Sequence, residues 1–96
     1  MNKQELIERV AAKTGCTKKN CGLILDGLLD EITEALQRDE KVKLVNFGSF
    51  EVTHRAARVG RNPQNRETIQ IPARGIPFFK AGKQLKEAVN PEDQAF

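Results

Sequence analysis

In residues 55–74, RAARVGRNPQNRETIQIPAR, Arg55, Arg58 and Arg61 recur at every third position. That spacing suits a basic helix as well as a strand. The surroundings favour a hairpin. The β-branched Val52 and Thr53 precede the stretch, Gly60 and the Asn62-Pro63 pair break it, and strand character returns at Thr68. Asn65 can take the left-handed conformation that a turn needs, which puts the tip near residues 62–66.

Strand signals lie on both sides. Upstream, Val42 and Leu44 alternate with Lys41 and Lys43, and Phe50 and Val52 alternate with Glu51 and Thr53, predicting two strands joined by a tight turn at Gly48. Downstream, Thr68 to Ile71 reads as a strand ending at Pro72, and Ile76 to Lys80 as an extended, Pro-containing piece. Together these segments make a meander. Phe47, Phe50 and Phe79 fall at the buried positions of the pattern and are expected in the core.

Helical periods flank the meander. Asn2 and Glu5 stand at capping-box spacing before Leu6, Ile7, Val10 and Ala11, and Gly15 supplies a stop. Thr17 can cap a longer helix whose apolar residues run from Cys21 through Ile24, Leu25, Leu28, Leu29 and Ile32 to Ala35 and Leu36. Its stripe is wider than the first helix can cover, which calls for the same helix of a second subunit. A chain of 96 residues also gains from dimerisation, because so short a chain closes only a marginal core by itself. A last short helix is expected over Gly82 to Asn90, stopped by Pro91.

Charge is regional. Residues 1–52 hold 8 Lys/Arg against 9 Asp/Glu, net −1, whereas residues 53–90 hold 8 against 2, net +6. Glu92 and Asp93 then make residues 91–96 a short acidic tail. Concentrated positive charge points to a polyanion, either nucleic acid or an acidic membrane surface. No apolar run approaches the ~18 residues of a spanning helix, and the polar N-terminus does not read as a signal peptide, so the cytosol is the expected compartment. Cys16 and Cys21 lack partners for a disulfide framework or a zinc site; Cys21 reads as buried filler and Cys16 as a loop residue. His54 has no metal partners in the pattern. With no paired-carboxylate, nucleophile, phosphate-loop or metal signature, neither an enzyme nor a cofactor or small-molecule substrate is expected.

In sequence the chain resembles the bacterial HU/IHF family of DNA-bending proteins. The resemblance rests on MNKQELI at the start, Phe47-Gly48-Ser49-Phe50, Arg55-Ala56-Ala57-Arg58, Gly60-Arg61-Asn62-Pro63-Gln64, Ile71-Pro72-Ala73, and Phe79-Lys80 with Gly82-Lys83 and Leu85-Lys86. It covers residues 1–90 as one DNA-binding domain and implies an α+β, IHF-like intertwined dimer: two N-terminal helices per chain, a three-stranded antiparallel sheet with an extended, flexible β-arm over about 53–75, and a short C-terminal helix. Two arms would embrace a DNA duplex.

The resemblance also implies roles. Arg55, Arg58, Arg61, Arg66 and Arg74 would neutralise phosphates or enter the minor groove, where readout is largely A·T against G·C. Pro63 would be the wedge that partly unstacks a base step, with Asn62 held extended before it. Lys3, Lys80, Lys83 and Lys86 would meet flanking phosphates, joined by the backbone amides of Gly48 and Ser49. Asn65-Arg66 stands where the family commonly has Thr-Gly, and Thr53 and Val59 where basic residues are frequent, so the tip gains charge and the arm's base loses it.

The expected function is thus a histone-like homodimer that binds duplex DNA with little sequence preference, bends it and organises the nucleoid. Ala56-Ala57 and Ile71-Pro72-Ala73 look more HU-like than IHF-like. The alternatives are a sequence-selective IHF-like subunit, using indirect readout of deformable steps, and a plain dimerisation or protein-interaction module with an incidental basic arm. RNA is carried as a secondary ligand, since phosphate contacts do not exclude it.

Overall fold

The computed structural model describes residues 1–91, which divide into two compact units, one of residues 1–35 and one that begins at residue 36. All but one residue of the expected acidic tail lies outside the described residues.

The first unit holds helix α1 (Lys3–Thr14) and most of α2 (Lys18–Gln37). The Asn2 side chain accepts a hydrogen bond from the Glu5 amide at 2.9 Å, and Gly15, at φ 80°, donates its N–H to the Ala11 carbonyl, so both ends of α1 close as the sequence predicts. Thr17 caps α2 by accepting from the Asn20 amide at 3.1 Å. Lys3 on α1 forms an ion pair with Asp26 on α2. Of the apolar residues in this unit, Ile7, Cys21 and Ala35 are buried, while Ile24 remains 67% and Leu28 48% exposed. An apolar cleft of about 380 Å³ lies between the two helices, lined by Leu6, Ile7, Val10, Ile24, Leu25 and Leu28 together with Thr14, Cys16 and Cys21.

In the second unit, strands β1 (Val42–Leu44), β2 (Gly48–Arg55) and β5 (Arg74–Ala81) form an antiparallel sheet in the order β1-β2-β5. Strands β3 (Arg58–Arg61) and β4 (Thr68–Ile71) form a separate two-stranded ladder, and α3 (Lys83–Val89) follows β5. The β2–β5 pairing runs from Gly48↔Ala81 to Arg55↔Arg74, and β3–β4 resumes at Arg58↔Ile71. Between them, Ala56-Ala57 faces Pro72-Ala73 without pairing; Pro72 has no N–H to give a ladder. Pro77 is tolerated within β5 because β5 is an edge strand.

Two sequence expectations shift here. The β1–β2 turn is Val45 to Phe47, not Gly48; Asn46 takes the left-handed backbone, φ 68°, and Gly48 is already the first residue of β2. The three phenylalanines expected in the core do cluster, with Phe79 stacked on Phe50 at 4.9 Å and on Phe47 at 5.5 Å between ring centroids. Within the single chain, however, Phe47 is 46% and Phe79 37% exposed. No helix among the described residues is long and apolar enough to cross a membrane.

Candidate nucleic-acid interface

Strand alternation sorts the sheet into two chemically distinct faces. The register puts Val42, Leu44, Phe50, Val52, Pro77 and Phe79 on one face. The other face carries Lys43, Ser49 and Lys80 in one row across three strands, Glu51 and Phe78 in the next, then Thr53 and Ile76, and Arg55 opposite Arg74 at the far end. Two strand spacings separate Lys43 from Lys80, about 10 Å between backbones.

Ser49 in that row is buried, and its hydroxyl donates to a Glu51 carboxylate oxygen at 2.8 Å, which also lies 3.7 Å from Lys41. Glu51 is thereby occupied, while Lys43 and Lys80 have no carboxylate partner among the described residues. The row opens onto a cleft of about 450 Å³ at the sheet's end, lined by Lys41, Lys43, Lys80 and Lys83, with Asn46, Gln84 and the backbone of Gly48 and Gly82, and by no acidic residue. Of the four lysines that line it, Lys41 and Lys83 are also paired with Glu51 and Glu87, at 3.7 and 3.9 Å, while Lys43 and Lys80 leave net positive charge that suits an anion. The cleft gathers Gly48, Ser49, Lys80 and Lys83 from the expected set. Gly48 and Ser49 are paired on both sides within the central strand. Lys41, Lys43, Asn46 and Gln84 are additions that the sequence pattern did not single out. The Lys41/Lys43 alternation carried that signal, but alone it describes any solvated strand face.

At the other end, Arg55 and Arg74 sit directly opposite one another, an arrangement that repels unless an anion lies between or above them. With Arg58 they line a second cleft, about 370 Å³, at the unpaired joint where the arm begins. Further out, Arg61 is the last residue of β3, and residues 62–67 close the tip. The Asn62 amide donates to the Glu67 carbonyl at 2.9 Å and the Arg66 amide to the Asn62 carbonyl at 2.8 Å. The side chains of Asn62 and Asn65 accept from the amides of Gln64 and Glu67. The left-handed residue is Arg66, φ 59°, rather than the expected Asn65. Both asparagine side chains cap the turn, and the reversal falls one residue later. Pro63 lies exposed within the tip. All five arm arginines are exposed and none forms an ion pair among the described residues.

The remaining expected residues lie apart from these clefts. Lys86 is exposed on α3. Lys3 belongs to the helical unit, engaged by Asp26. His54 Nε2 lies 2.6 Å from Asp39 Oδ1, and no grouping among the described residues could hold a metal ion.

A family model described as "Bacterial DNA-binding protein" matches residues 1–90. The chain belongs to that family. Among its relatives, the DNA-binding protein HU of Thermotoga maritima is 60% identical over 89 residues, spanning 93% of this chain and 99% of that protein. The DNA-binding protein HU of Geobacillus stearothermophilus is 54% identical over 89 residues, with the same shares. In structure, the chain is similar to one in an Anabaena HU–DNA cocrystal structure, with a TM-score of 0.85 and 48% identity over 95% of this chain and 99% of that one. HU from Thermotoga maritima matches with a TM-score of 0.68 and 47% identity over 93% and 98%. The α+β architecture is therefore that of the HU proteins, in a family named for DNA binding and not for catalysis.

Proposed function

We propose that this chain is a histone-like architectural protein: a homodimer that binds duplex DNA with little sequence preference, bends it between two β-arms and helps to organise the nucleoid in the cytoplasm. The observation that carries this reading is the arm itself, with five exposed arginines that have no acidic partner among the described residues and a proline presented at its tip. A protein leaves such charge unneutralised where a polyanion completes it.

The residues divide the work by position. Arg55, Arg58, Arg61, Arg66 and Arg74 track phosphates and the minor groove; Asn62 shapes the tip by holding the Gln64 amide, and Pro63 enters a base step as the wedge. The acid-free cleft, with Lys80, Lys83, Gly48 and Ser49, takes the phosphates that flank the bend, aided by Lys86. Lys3 joins them only by leaving Asp26, an exchange that costs little because exposed ion pairs contribute about 0–1 kcal/mol.

The test is bending. In a duplex carrying a fluorophore at each end, wild type should raise energy transfer on binding. Pro63→Ala should still bind but bend less, because the arginines still hold phosphates when no wedge enters the base step. Unchanged energy transfer in Pro63→Ala would remove the wedge from the mechanism.

A further inference from the structure

Alternation along β5 sends Phe79 to the apolar face, where it stacks on Phe47 and Phe50, and sends the next ring, Phe78, to the opposite face. That opposite face is the basic one. Lys80 stands two residues along the same strand, about 6.6 Å away, and Lys43 completes its row; the Arg55/Arg74 row lies about 13 Å in the other direction. Phe78 is 41% exposed, and no aromatic ring stacks on it among the described residues. Its cross-strand neighbour is Glu51, whose carboxylate accepts from Ser49 and lies 3.7 Å from the Lys41 ammonium, which offsets part of its charge. A solvent-facing strand position ordinarily takes a polar residue. A bare ring between two cationic rows has the composition of a surface that binds single strands: bases stack on the aromatic face while the backbone follows the positive charge.

We propose that Phe78 is a stacking platform for an unpaired base of single-stranded DNA, with the adjoining phosphates held by Lys80 and Lys43. This rests on the reading that the basic face is the one turned to DNA. It adds a second mode of binding, in which the sheet acts and the arms do not.

The experiment titrates a labelled oligo(dT) of about 20 nucleotides and a duplex of equal length against the full chain, as wild type, Phe78→Leu and Phe78→Tyr. Leucine keeps the apolar bulk and removes the π-face; tyrosine keeps both. Phe78→Leu should lose roughly tenfold in affinity for oligo(dT), Phe78→Tyr should recover it, and duplex affinity should stay within about twofold in all three. A Phe78→Leu chain that binds oligo(dT) as wild type does, or loses both ligands alike, overturns the proposal. So does a change in its sedimentation, which would make Phe78 a subunit contact. Wild type that binds duplex but not oligo(dT) sinks this inference alone; wild type that binds neither sinks the architectural reading too.

Discussion

A methyl group added at Gly48 would lie 2.5 Å from two ring carbons of Phe79 and 2.6 Å from the Lys80 carbonyl, closer than side-chain carbons approach anything. The ring belongs to the Phe47–Phe79–Phe50 stack and the carbonyl to a paired strand, so neither can move aside cheaply. Overpacking of this kind costs about 1–3 kcal/mol. Gly48→Ala should lower the melting temperature by several degrees, on the order of 10 °C at the upper end, read by circular dichroism. An unchanged melting curve would mean that Phe79 is not held where the stack places it. Arg66 presents the reverse case. Its left-handed backbone suits glycine better than arginine, so Arg66→Gly relieves strain of roughly 1 kcal/mol. The same change removes a tip cation. Stability should hold or rise while duplex affinity falls, and the slope of log K against log salt should shrink by about 1.8, the share of the two phosphates that one Arg66 on each arm neutralises. An undiminished slope would take Arg66 out of the interface.

At the scale of elements, both helix caps, the meander and the joint at Pro72 were legible from the sequence because each has a local cause. Asn2, Thr17 and Gly15 act within four residues of themselves, and a proline without an N–H interrupts a ladder wherever it stands. The first turn was placed two residues late and, within a correctly placed tip, the left-handed residue one residue early, for a common reason. In each, the residue type best suited to a left-handed backbone is engaged elsewhere, since Gly48 makes room for the Phe79 ring and Asn65 caps the Glu67 amide. The positive φ therefore fell to Asn46 and Arg66. Such trades depend on what lies across the sheet or turn, which spacing along the chain does not encode. The acid-free cleft was half legible for the same reason. Lys80 and Lys83 stand in a recognisable motif, but Lys43 joins them only through the register Lys43↔Ser49↔Lys80.

For the whole molecule the decisive quantity is how little one chain buries. Among the described residues only Ile7, Cys21 and Ala35 form a buried apolar core, no large side chain is fully enclosed, and leucines and isoleucines along α2 and the phenylalanine stack of the sheet stand open. Fully burying one such side chain stabilises by about 1.5–3 kcal/mol. So small a buried core leaves one chain marginal by itself. The open surfaces within each unit, the α1–α2 cleft and the uncovered face of Phe47 and Phe79, are what a second copy would fill, so folding and association should be one event. Stability then depends on chain concentration. Each tenfold dilution removes about 1.4 kcal/mol from the folded dimer, which for a cooperative unit of two such chains lowers the melting temperature by about 3–6 °C. Melting curves over a hundredfold range of concentration should shift accordingly, with sedimentation giving twice the chain mass throughout the folded baseline. A melting temperature independent of concentration, with a folded species of single-chain mass, would show that each chain finds its core alone and would remove the two-armed embrace that the bending mechanism requires.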